Sequence, residues 1–287
     1  MLLNKRLQFI NFLVLFGALV MVNTQCYSQQ QLIYKQLDSI GLYMELYQPP
    51  KLDANQKFPA MVFFFGGGWV GGSTEQFEPH ASYFSKRGIV CILVDYRVRN
   101  RHGSSPFDAL KDAKSAIRFI RKHAKDYNID ADKIIASGGS AGGHLAAATA
   151  LISGYNEETD NSDISCVPNA LVLFNPVIDN GPGGYGFERI GMAYKNFSPL
   201  HNIRKGMPPT VFFLGTKDEL IPLETAAYFK KTMERVGSRC ELFTYEGEGH
   251  GFFNYRNFVL YRKTVKETDY FLQSLGYLSD KSHLEIE

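Results

Sequence analysis

Gly138-Gly139-Ser140-Ala141-Gly142 is the stretch of sequence that decides the fold. It follows a short apolar run at residues 133–136 and leads into an alanine-rich segment at residues 141–152, which predicts a strand, a sharp turn and a helix. Such a turn is crowded, so only small neighbours fit, and it would lift the Ser140 hydroxyl above the end of the strand. The N–H of Ala141 and the positive end of the helix dipole would lie beside that hydroxyl. We interpret Ser140 as a nucleophile; the alternative is a glycine-rich turn that binds phosphate.

Short apolar runs recur on both sides of this motif, and helical patterns separate them. The predicted strands are residues 42–47, 60–65, 89–94, 133–136, 170–174, 210–214 and 241–245. The predicted helices are residues 110–124, 141–152, 223–236 and 259–275. Continuously apolar strands indicate burial on both faces, as in a parallel sheet. We therefore predict an α/β fold, a doubly wound and mostly parallel β-sheet covered by helices on both faces, forming a single domain over residues 29–287. The long glycine- and proline-rich stretch at residues 175–209 predicts a functional loop.

Two further side chains follow later strands and complete a candidate catalytic triad. A serine hydroxyl needs a base, and the base needs an orienting acid. Asp218 comes directly after the predicted strand 210–214, and His250 comes after the strand 241–245. Glu219 and Asp179 are rival acids. The other six histidines do not follow a core strand at the required place, and His144, in the helix after Ser140, is interpreted as a packing or hydrogen-bonding residue.

A glycine run follows the first central strand and predicts an oxyanion hole. Gly66-Gly67-Gly68-Trp69 comes directly after residues 60–65. Acyl transfer develops negative charge on a carbonyl oxygen, and glycines let backbone N–H groups turn toward it without Cβ clashes. We predict Gly67, Gly68 and Ala141 as the donors; the alternative is a flexible glycine loop.

In their joint order these motifs resemble the α/β-hydrolase superfamily, in particular its hormone-sensitive-lipase-like and feruloyl- and acetyl-esterase-like carboxylesterases. The resemblance covers roughly residues 40–277. The matching pieces are Gly66-Gly67-Gly68-Trp69, Asp95-Tyr96-Arg97, Gly138-Gly139-Ser140-Ala141-Gly142-Gly143-His144, Ser198-Pro199, Asp218 with Pro222, and His250-Gly251-Phe252. The resemblance implies a serine carboxylesterase whose Asp-Tyr-Arg stretch is structural. One departure is Phe65, where the family usually carries a supporting His, so we expect the glycine loop to be held differently.

Charge and metal-ligand patterns exclude two other classes of protein. The net charge is +2, and without Lys5 and Arg6 the chain carries 29 basic and 29 acidic residues. A nucleic-acid-binding protein needs a basic face, so that class is excluded. Seven His and four Cys lack paired metal-ligand spacing, so no metal or other cofactor is expected.

The N-terminal residues predict export. Lys5 and Arg6 precede an apolar run at residues 9–22, which is short for a membrane span and typical of a signal peptide. We predict that residues 1–28 are removed before Gln29, giving a periplasmic or secreted protein with no stable membrane association. An uncleaved anchor and lipid attachment at Cys26 are the alternatives. A disulfide between Cys166 and Cys240 also stays open.

The last expectation concerns the substrate. The segment before the first predicted strand is too short for the helical cap of many relatives, so we expect an open site with no large cap domain. Trp69 is predicted to limit the acyl side, and Tyr185 the leaving-group side. We therefore expect short acyl groups, acetyl first, on a small-molecule or glycan ester. The alternatives are an exported serine aminopeptidase, with Glu188 or Glu78 as anchor, and a non-catalytic binding protein of this fold.

Overall fold

The computed structural model describes residues 29–38, 40–50, 56–279 and 284–286. The predicted signal peptide at residues 1–28 lies outside the described residues. Within the described ranges, no helix is long and apolar enough to cross a membrane. Cys91, Cys166 and Cys240 are buried free thiols, so Cys166 and Cys240 form no disulfide.

Eight strands of the described chain form one sheet. Their bounds are Gln29–Leu37 (β1), Ile40–Tyr47 (β2), Phe58–Phe64 (β3), Val90–Val94 (β4), Ile129–Gly139 (β5), Ala170–Phe174 (β6), Thr210–Gly215 (β7) and Cys240–Tyr245 (β8). Their order across the sheet is β1-β2-β4-β3-β5-β6-β7-β8. The pairs β1–β2 and β2–β4 are antiparallel. The other neighbouring pairs, from β4–β3 across the sheet to β7–β8, are parallel. The predicted mostly parallel sheet is confirmed.

Helices cover both faces of this sheet. Their bounds are Glu78–Lys86 (α1), Arg99–His102 (α2), Pro106–Lys122 (α3), Ala141–Leu151 (α4), Phe187–Ile190 (α5), Tyr194–Phe197 (α6), Leu223–Arg235 (α7) and Phe258–Ser274 (α8). Helix α3 begins where Ser105 and Asp108 form a reciprocal capping box, with Pro106 at the first helical position. The stretch 175–209 holds only short helices, and no helical domain covers the carboxyl ends of the strands in the described residues.

Burial on both faces explains why the strands read as continuous apolar runs. In β3, Val62 and Phe64 join the core that includes residues of α3, α4 and α7. Met61 and Phe63 point to the opposite core, which includes residues of α1 and α8. Successive side chains of a strand alternate between faces, so an apolar run of this kind fills two cores at once.

Strand β1 and helix α1 were not predicted. Gln29–Leu37 is largely polar. It pairs with β2 at the edge of the sheet, where its side chains are only partly buried. Ile33 is 54% exposed whereas Tyr34 is 8% exposed, so the strand lacks the continuous apolar run of its buried neighbours. Residues between the predicted cleavage site and the first predicted strand therefore extend the sheet.

Candidate active site

Ser140 lies at a strained turn between β5 and α4. Its φ is 54° and its ψ is −119°, a combination that non-glycine residues rarely adopt. The turn is held because the Ser140 N–H donates to the Phe174 carbonyl at 3.0 Å. A Cβ at Gly142 would lie 2.0 Å from the Phe64 carbonyl oxygen, so the end of β3 reaches the helix only because residue 142 has no side chain. The sequence motif therefore has the structural context that it requires.

The structure brings Ser140, His250 and Asp218 into one line of hydrogen bonds. Nε2 of His250 lies 2.8 Å from Oγ of Ser140, and Nδ1 lies 2.8 Å from Oδ2 of Asp218. Asp218 is anchored in turn, because its Oδ1 accepts the N–H groups of Leu220 and Ile221 at 2.9 and 3.0 Å. A carboxylate at Nδ1 holds the proton there, so the Nε2 lone pair faces the serine hydroxyl. This arrangement can remove a proton from Ser140 during nucleophilic attack.

The rival acids do not contact this histidine. Asp179 accepts the Gly181 N–H at 2.8 Å and lies 3.7 Å from Nδ1 of His201. Within the described residues, Glu219 makes no hydrogen bond to His250. Of the three candidate acids, Asp218 is therefore the one whose carboxylate contacts and orients the His250 ring.

Two buried histidines lie near the site without joining it. His144 donates through Nε2 to the Phe197 carbonyl at 3.0 Å, and His80 packs among aromatic rings, including Tyr261 at 4.8 Å. Burial lowers the pKa of each ring to about 3, because an imidazolium would lose its hydration. Both rings are neutral at ordinary pH and serve as packing groups.

Two N–H groups of the glycine loop, those of Gly67 and Gly68, lie beside the serine without an acceptor among the described residues. Gly67, Gly68 and Trp69 have positive φ values of 124°, 63° and 59°, which turns three successive peptides. The N–H groups of Gly67, Gly68 and Ala141 donate no hydrogen bond within the described part of the chain. Gly67 and Gly68 also line the cavity that contains Ser140. These groups are the donors that a developing oxyanion could use.

Tyr96 and Gln76 hold the strand end where the family usually has a histidine. Phe65 stacks on Tyr96 with ring centroids 4.1 Å apart, and the Tyr96 hydroxyl donates to the Phe65 carbonyl at 2.6 Å. The Gly66 N–H donates to Oε1 of Gln76 at 2.6 Å. As expected, the glycine loop is held without a histidine at residue 65; Tyr96 and Gln76 fix the backbone at residues 65 and 66. Gln76 follows no motif, so the sequence offered no signal for it.

Arg189 holds the loop from the other side. Its guanidinium lies 5.3 Å from the Trp69 ring centroid and 5.4 Å from that of Tyr185, and it donates a hydrogen bond to the Gly68 carbonyl. The contact joins residues 121 positions apart, and nothing in the local sequence around Arg189 predicts it. Tyr185 and Arg189 together fasten the loop to the stretch 175–209.

Trp69 does not line the cleft, contrary to the sequence prediction. Its side chain is 1% exposed and packs against His144 at 5.1 Å and Phe197 at 6.3 Å. The Trp69 backbone is left-handed, and its indole is buried beneath the glycine loop. The prediction of Trp69 as a rim of the acyl site was wrong; Tyr185, in contrast, lines the cavity.

The cavity at Ser140 has a volume of about 250 Å³. Its lining residues are Gly66, Gly67, Gly68, Gln76, Ser140, Asn175, Tyr185, Leu220, His250, Gly251, Phe253 and Asn254. A neighbouring cavity of about 240 Å³ runs along the 178–185 loop and shares Tyr185 and Leu220 with it. These two side chains therefore stand between the serine and a second space. The described residues contain no cluster of three His, Cys, Asp or Glu side chains that could hold a metal ion.

Two family models match overlapping parts of the chain. The BD-FAE model matches residues 44–181, and the model of the dienelactone hydrolase family matches residues 175–273. Among curated relatives, a probable isoprenylcysteine alpha-carbonyl methylesterase of Arabidopsis thaliana is 28% identical over 72% of this chain and 48% of its own. An acetylxylan esterase of Xylanibacter ruminicola is 27% identical over 70% of this chain and 42% of its own. The chain spans about half the length of the curated relatives it matches.

Solved structures cover the chain more fully. The apo form of Thermogutta terrifontis esterase 2 has a TM-score of 0.85 and 42% identity, over 88% of this chain and 97% of that one. The propionate-bound form of the same esterase has a TM-score of 0.84 and 41% identity, with the same coverage. The form phosphorylated by paraoxon has a TM-score of 0.84 and 42% identity, over 88% and 96% of the two chains. With this fold and this likeness over nearly the whole of a solved esterase, the chain belongs to the carboxylesterases of the α/β-hydrolase superfamily.

Proposed function

We propose that the protein is an exported serine carboxylesterase that hydrolyses short-chain acyl esters, acetyl first, including esters of carbohydrates. The observation that carries the proposal is the continuous hydrogen bonding from Asp218 through His250 to Ser140. Free N–H groups of the glycine loop beside the same serine support it, because acyl transfer needs both a nucleophile and an oxyanion site.

In the proposed reaction, Oγ of Ser140 attacks the ester carbonyl while Nε2 of His250 takes the hydroxyl proton. The carbonyl oxygen becomes negative and accepts hydrogen bonds from the N–H groups of Gly67, Gly68 and Ala141. Nε2 then gives its proton to the departing alkoxide, which leaves as an alcohol and an acyl-enzyme remains. A water molecule, deprotonated by His250, attacks the acyl-enzyme, and the collapse of that intermediate returns the proton to Ser140 and releases the acid.

The size of the cavity supports a short acyl group. A cavity of about 250 Å³ holds a short acyl group and the reacting carbonyl and leaves space for part of the alcohol, which a long chain would have to share. Relatives agree with this choice, since solved structures of the Thermogutta terrifontis esterase are described as bound to propionate and to butyrate, and one curated relative is an acetylxylan esterase. Acetylated sugars are therefore the substrates to test first.

The two predicted anchors of the aminopeptidase alternative, Glu188 and Glu78, lie away from Ser140. The carboxylate of Glu188 pairs with the guanidinium of Arg189 at 3.0 Å, and Glu78 lines a separate cavity with Tyr47 and Tyr255. Neither side chain lines the cavity at Ser140.

The decisive experiment compares Ser140→Ala with Ser137→Ala. Ser137 is a buried serine of β5 three residues earlier and contributes nothing to the proposed reaction. We expect p-nitrophenyl acetate turnover to fall on the order of 10⁶-fold in Ser140→Ala and to stay within about threefold of wild type in Ser137→Ala. Paraoxon should add one phosphoryl adduct to wild type and none to Ser140→Ala, as measured by intact mass. Turnover close to that of wild type, or phosphoryl labelling, in the folded Ser140→Ala variant contradicts the proposal.

Export and domain boundaries form a separate part of the proposal. We assign residues 1–28 to a cleaved signal peptide and residues 29–287 to one catalytic domain. Expression of the full chain in a Gram-negative host, followed by N-terminal sequencing of the periplasmic protein, should give Gln29 as the first residue. A retained Met1 or a lipid-modified Cys26 would overturn this assignment and leave the esterase proposal untouched.

A further inference from the structure

A chain of side-chain amides runs along one wall of the cleft, outside the proposed triad. The Gly66 N–H donates to Oε1 of Gln76, so the other end of that amide must donate. Nε2 of Gln76 does donate, to Oδ1 of Asn254 at 2.9 Å, and Nδ2 of Asn254 then donates to the Gly251 carbonyl at 2.7 Å. The glycine loop is thereby linked to the residue that follows His250.

Asn175 completes this wall from the opposite side of Gly251. It follows β6, its side chain is fully buried, and its own N–H donates to the Phe213 carbonyl at 2.7 Å. The Gly251 N–H donates to Oδ1 of Asn175 at 3.0 Å. Because a backbone N–H can only donate, this bond fixes which end of the amide is the oxygen. The Asn175 Nδ2 group is therefore the end that faces Nε2 of His250, at 3.3 Å.

We propose that Asn175 is a positioning residue for proton transfer, whose amide N–H faces Nε2 of His250 and keeps that nitrogen an acceptor. The inference rests on the proposed ester hydrolysis and adds a second influence on the base. Before the attack, a donor beside Nε2 is compatible with the lone pair and unfavourable for a resting imidazolium. After the attack, the new Nε2–H meets a donor at Asn175, so it is directed to the leaving alkoxide.

The two nitrogens of the His250 ring have different neighbours, so the effect of Asn175 can be measured separately from that of Asp218. Asp218 is the charged side chain that is hydrogen-bonded to His250 within the described residues, and it acts at Nδ1. At Nε2 the neighbours are the neutral hydroxyl of Ser140 and the neutral amide of Asn175. A change at residue 175 therefore acts on the ring at Nε2 and not at Nδ1, and its second effect is the loss or change of the contact with the Gly251 N–H.

The test measures the acidic limb of the pH dependence of kcat/KM for p-nitrophenyl acetate in three variants. Asn175→Gly removes the donor without adding charge, and glycine accepts the positive φ of 33° at this position. We expect its midpoint to move upward by about half a pH unit. Asn175→Asp keeps the acceptor for the Gly251 N–H and replaces the donor by an acceptor, so the midpoint should move upward by at least about one unit. Asn254→Ala is the matched control, because it loosens the same Gly251 segment from its carbonyl side; its midpoint should stay at the wild-type value.

The outcomes separate positioning from simple support of the loop. An unshifted limb in folded Asn175→Gly, or an equal shift in Asn254→Ala, would overturn the inference. An NMR titration of the His250 ring in the same proteins reads the same property without turnover. If wild type hydrolyses no ester but the His250 titration moves upward from wild type to Asn175→Gly and stays in place in Asn254→Ala, the proposed function fails while the inference about Asn175 stands.

Discussion

The guanidinium of Arg189 donates a hydrogen bond to the carbonyl oxygen of Gly68. Gly68 has a φ of 63° and no side chain of its own, so only its backbone groups can fix the loop at this residue. Arg189 anchors the Gly68 carbonyl while lying between the rings of Trp69 and Tyr185. Because the neighbouring N–H groups are the proposed oxyanion donors, this contact connects a distant loop to the reaction.

Removal of the Arg189 anchor should lower kcat more than it changes KM. We expect Arg189→Leu to reduce kcat for p-nitrophenyl acetate by about 10- to 100-fold, somewhat less than the ~10²- to 10³-fold effect of deleting an oxyanion donor. Glu188→Gln is the control, since Glu188 contacts the guanidinium from the solvent side and should keep wild-type kinetics. Wild-type kcat in a folded Arg189→Leu variant would show that the other contacts of the loop are sufficient to hold its shape.

Asp218→Asn should impair turnover strongly. An amide at this position can present a donor to Nδ1 of His250, which favours the tautomer with its proton on Nε2 and blocks proton uptake from Ser140. We expect kcat to fall on the order of 10⁴-fold. Asp179→Asn, measured in parallel, should stay within about threefold of wild type because Asp179 pairs with Gly181 and His201. A larger loss in Asp179→Asn than in Asp218→Asn would reverse the choice of acid.

Leu220 should control access for bulky alcohols. Its side chain is 40% exposed and, with Tyr185, borders both the cavity at Ser140 and the adjoining one. We expect Leu220→Trp to lower kcat/KM for 2-naphthyl acetate at least about tenfold and for ethyl acetate less than threefold, because the indole would block the connecting space. Val259→Trp adds the same ring at an exposed position of α8 and should change neither value. An equal loss for both esters would mean that the alcohol leaves by another route.

His80 should make the fold sensitive to mild acid. Burial lowers the pKa of His80 to about 3, whereas the pKa of an unfolded histidine is about 6.5. Between these values the unfolded chain binds a proton that the native state excludes, so the free energy of unfolding decreases as the pH falls. One such group contributes at most about 1.4 kcal/mol per pH unit, which amounts to roughly 2 kcal/mol between pH 7 and 5.

Urea unfolding of His80→Leu at several pH values checks this slope. The variant should lose about 2 kcal/mol less than wild type on acidification to pH 5, whatever its stability at pH 7. Phe84→Leu is the control, because Phe84 is another buried ring of α1 that carries no titrating group, and the variant should keep the wild-type slope. Parallel curves for wild type and His80→Leu would contradict the prediction.

The central strands and the elbow are readable from sequence because their physical constraints are local. β6 occupies residues 170–174 as predicted, since a strand buried on both faces has to be apolar throughout. The turn at Ser140 needs small neighbours, and parallel strands bring their carboxyl ends to one edge. The relative positions of Ser140, Asp218 and His250 follow from these rules.

The supporting residues follow no such rule. Gln76, Asn175 and Arg189 act through single long-range hydrogen bonds, and neither an amide nor a guanidinium has a periodic signature in the sequence. Trp69 shows that the position of a residue can be predicted from the sequence while the direction of its side chain cannot. Its place at the end of the glycine run was readable, but the direction of its ring depends on a left-handed backbone and on the packing space beside His144.

The position of β8 at the border of the sheet has a consequence for heat inactivation. Ser140 extends from β5 in the middle of the sheet, whereas His250 extends from the connection after β8, which has a neighbouring strand on one side only and several half-buried residues. Border strands open locally at lower free energy than the centre, which amide hydrogen exchange detects as weaker protection. Fraying of β8 separates base from nucleophile while the centre remains folded. On warming, the enzyme should therefore lose activity at a temperature several degrees below the melting of its secondary structure. Activity should return on cooling as long as only β8 has opened.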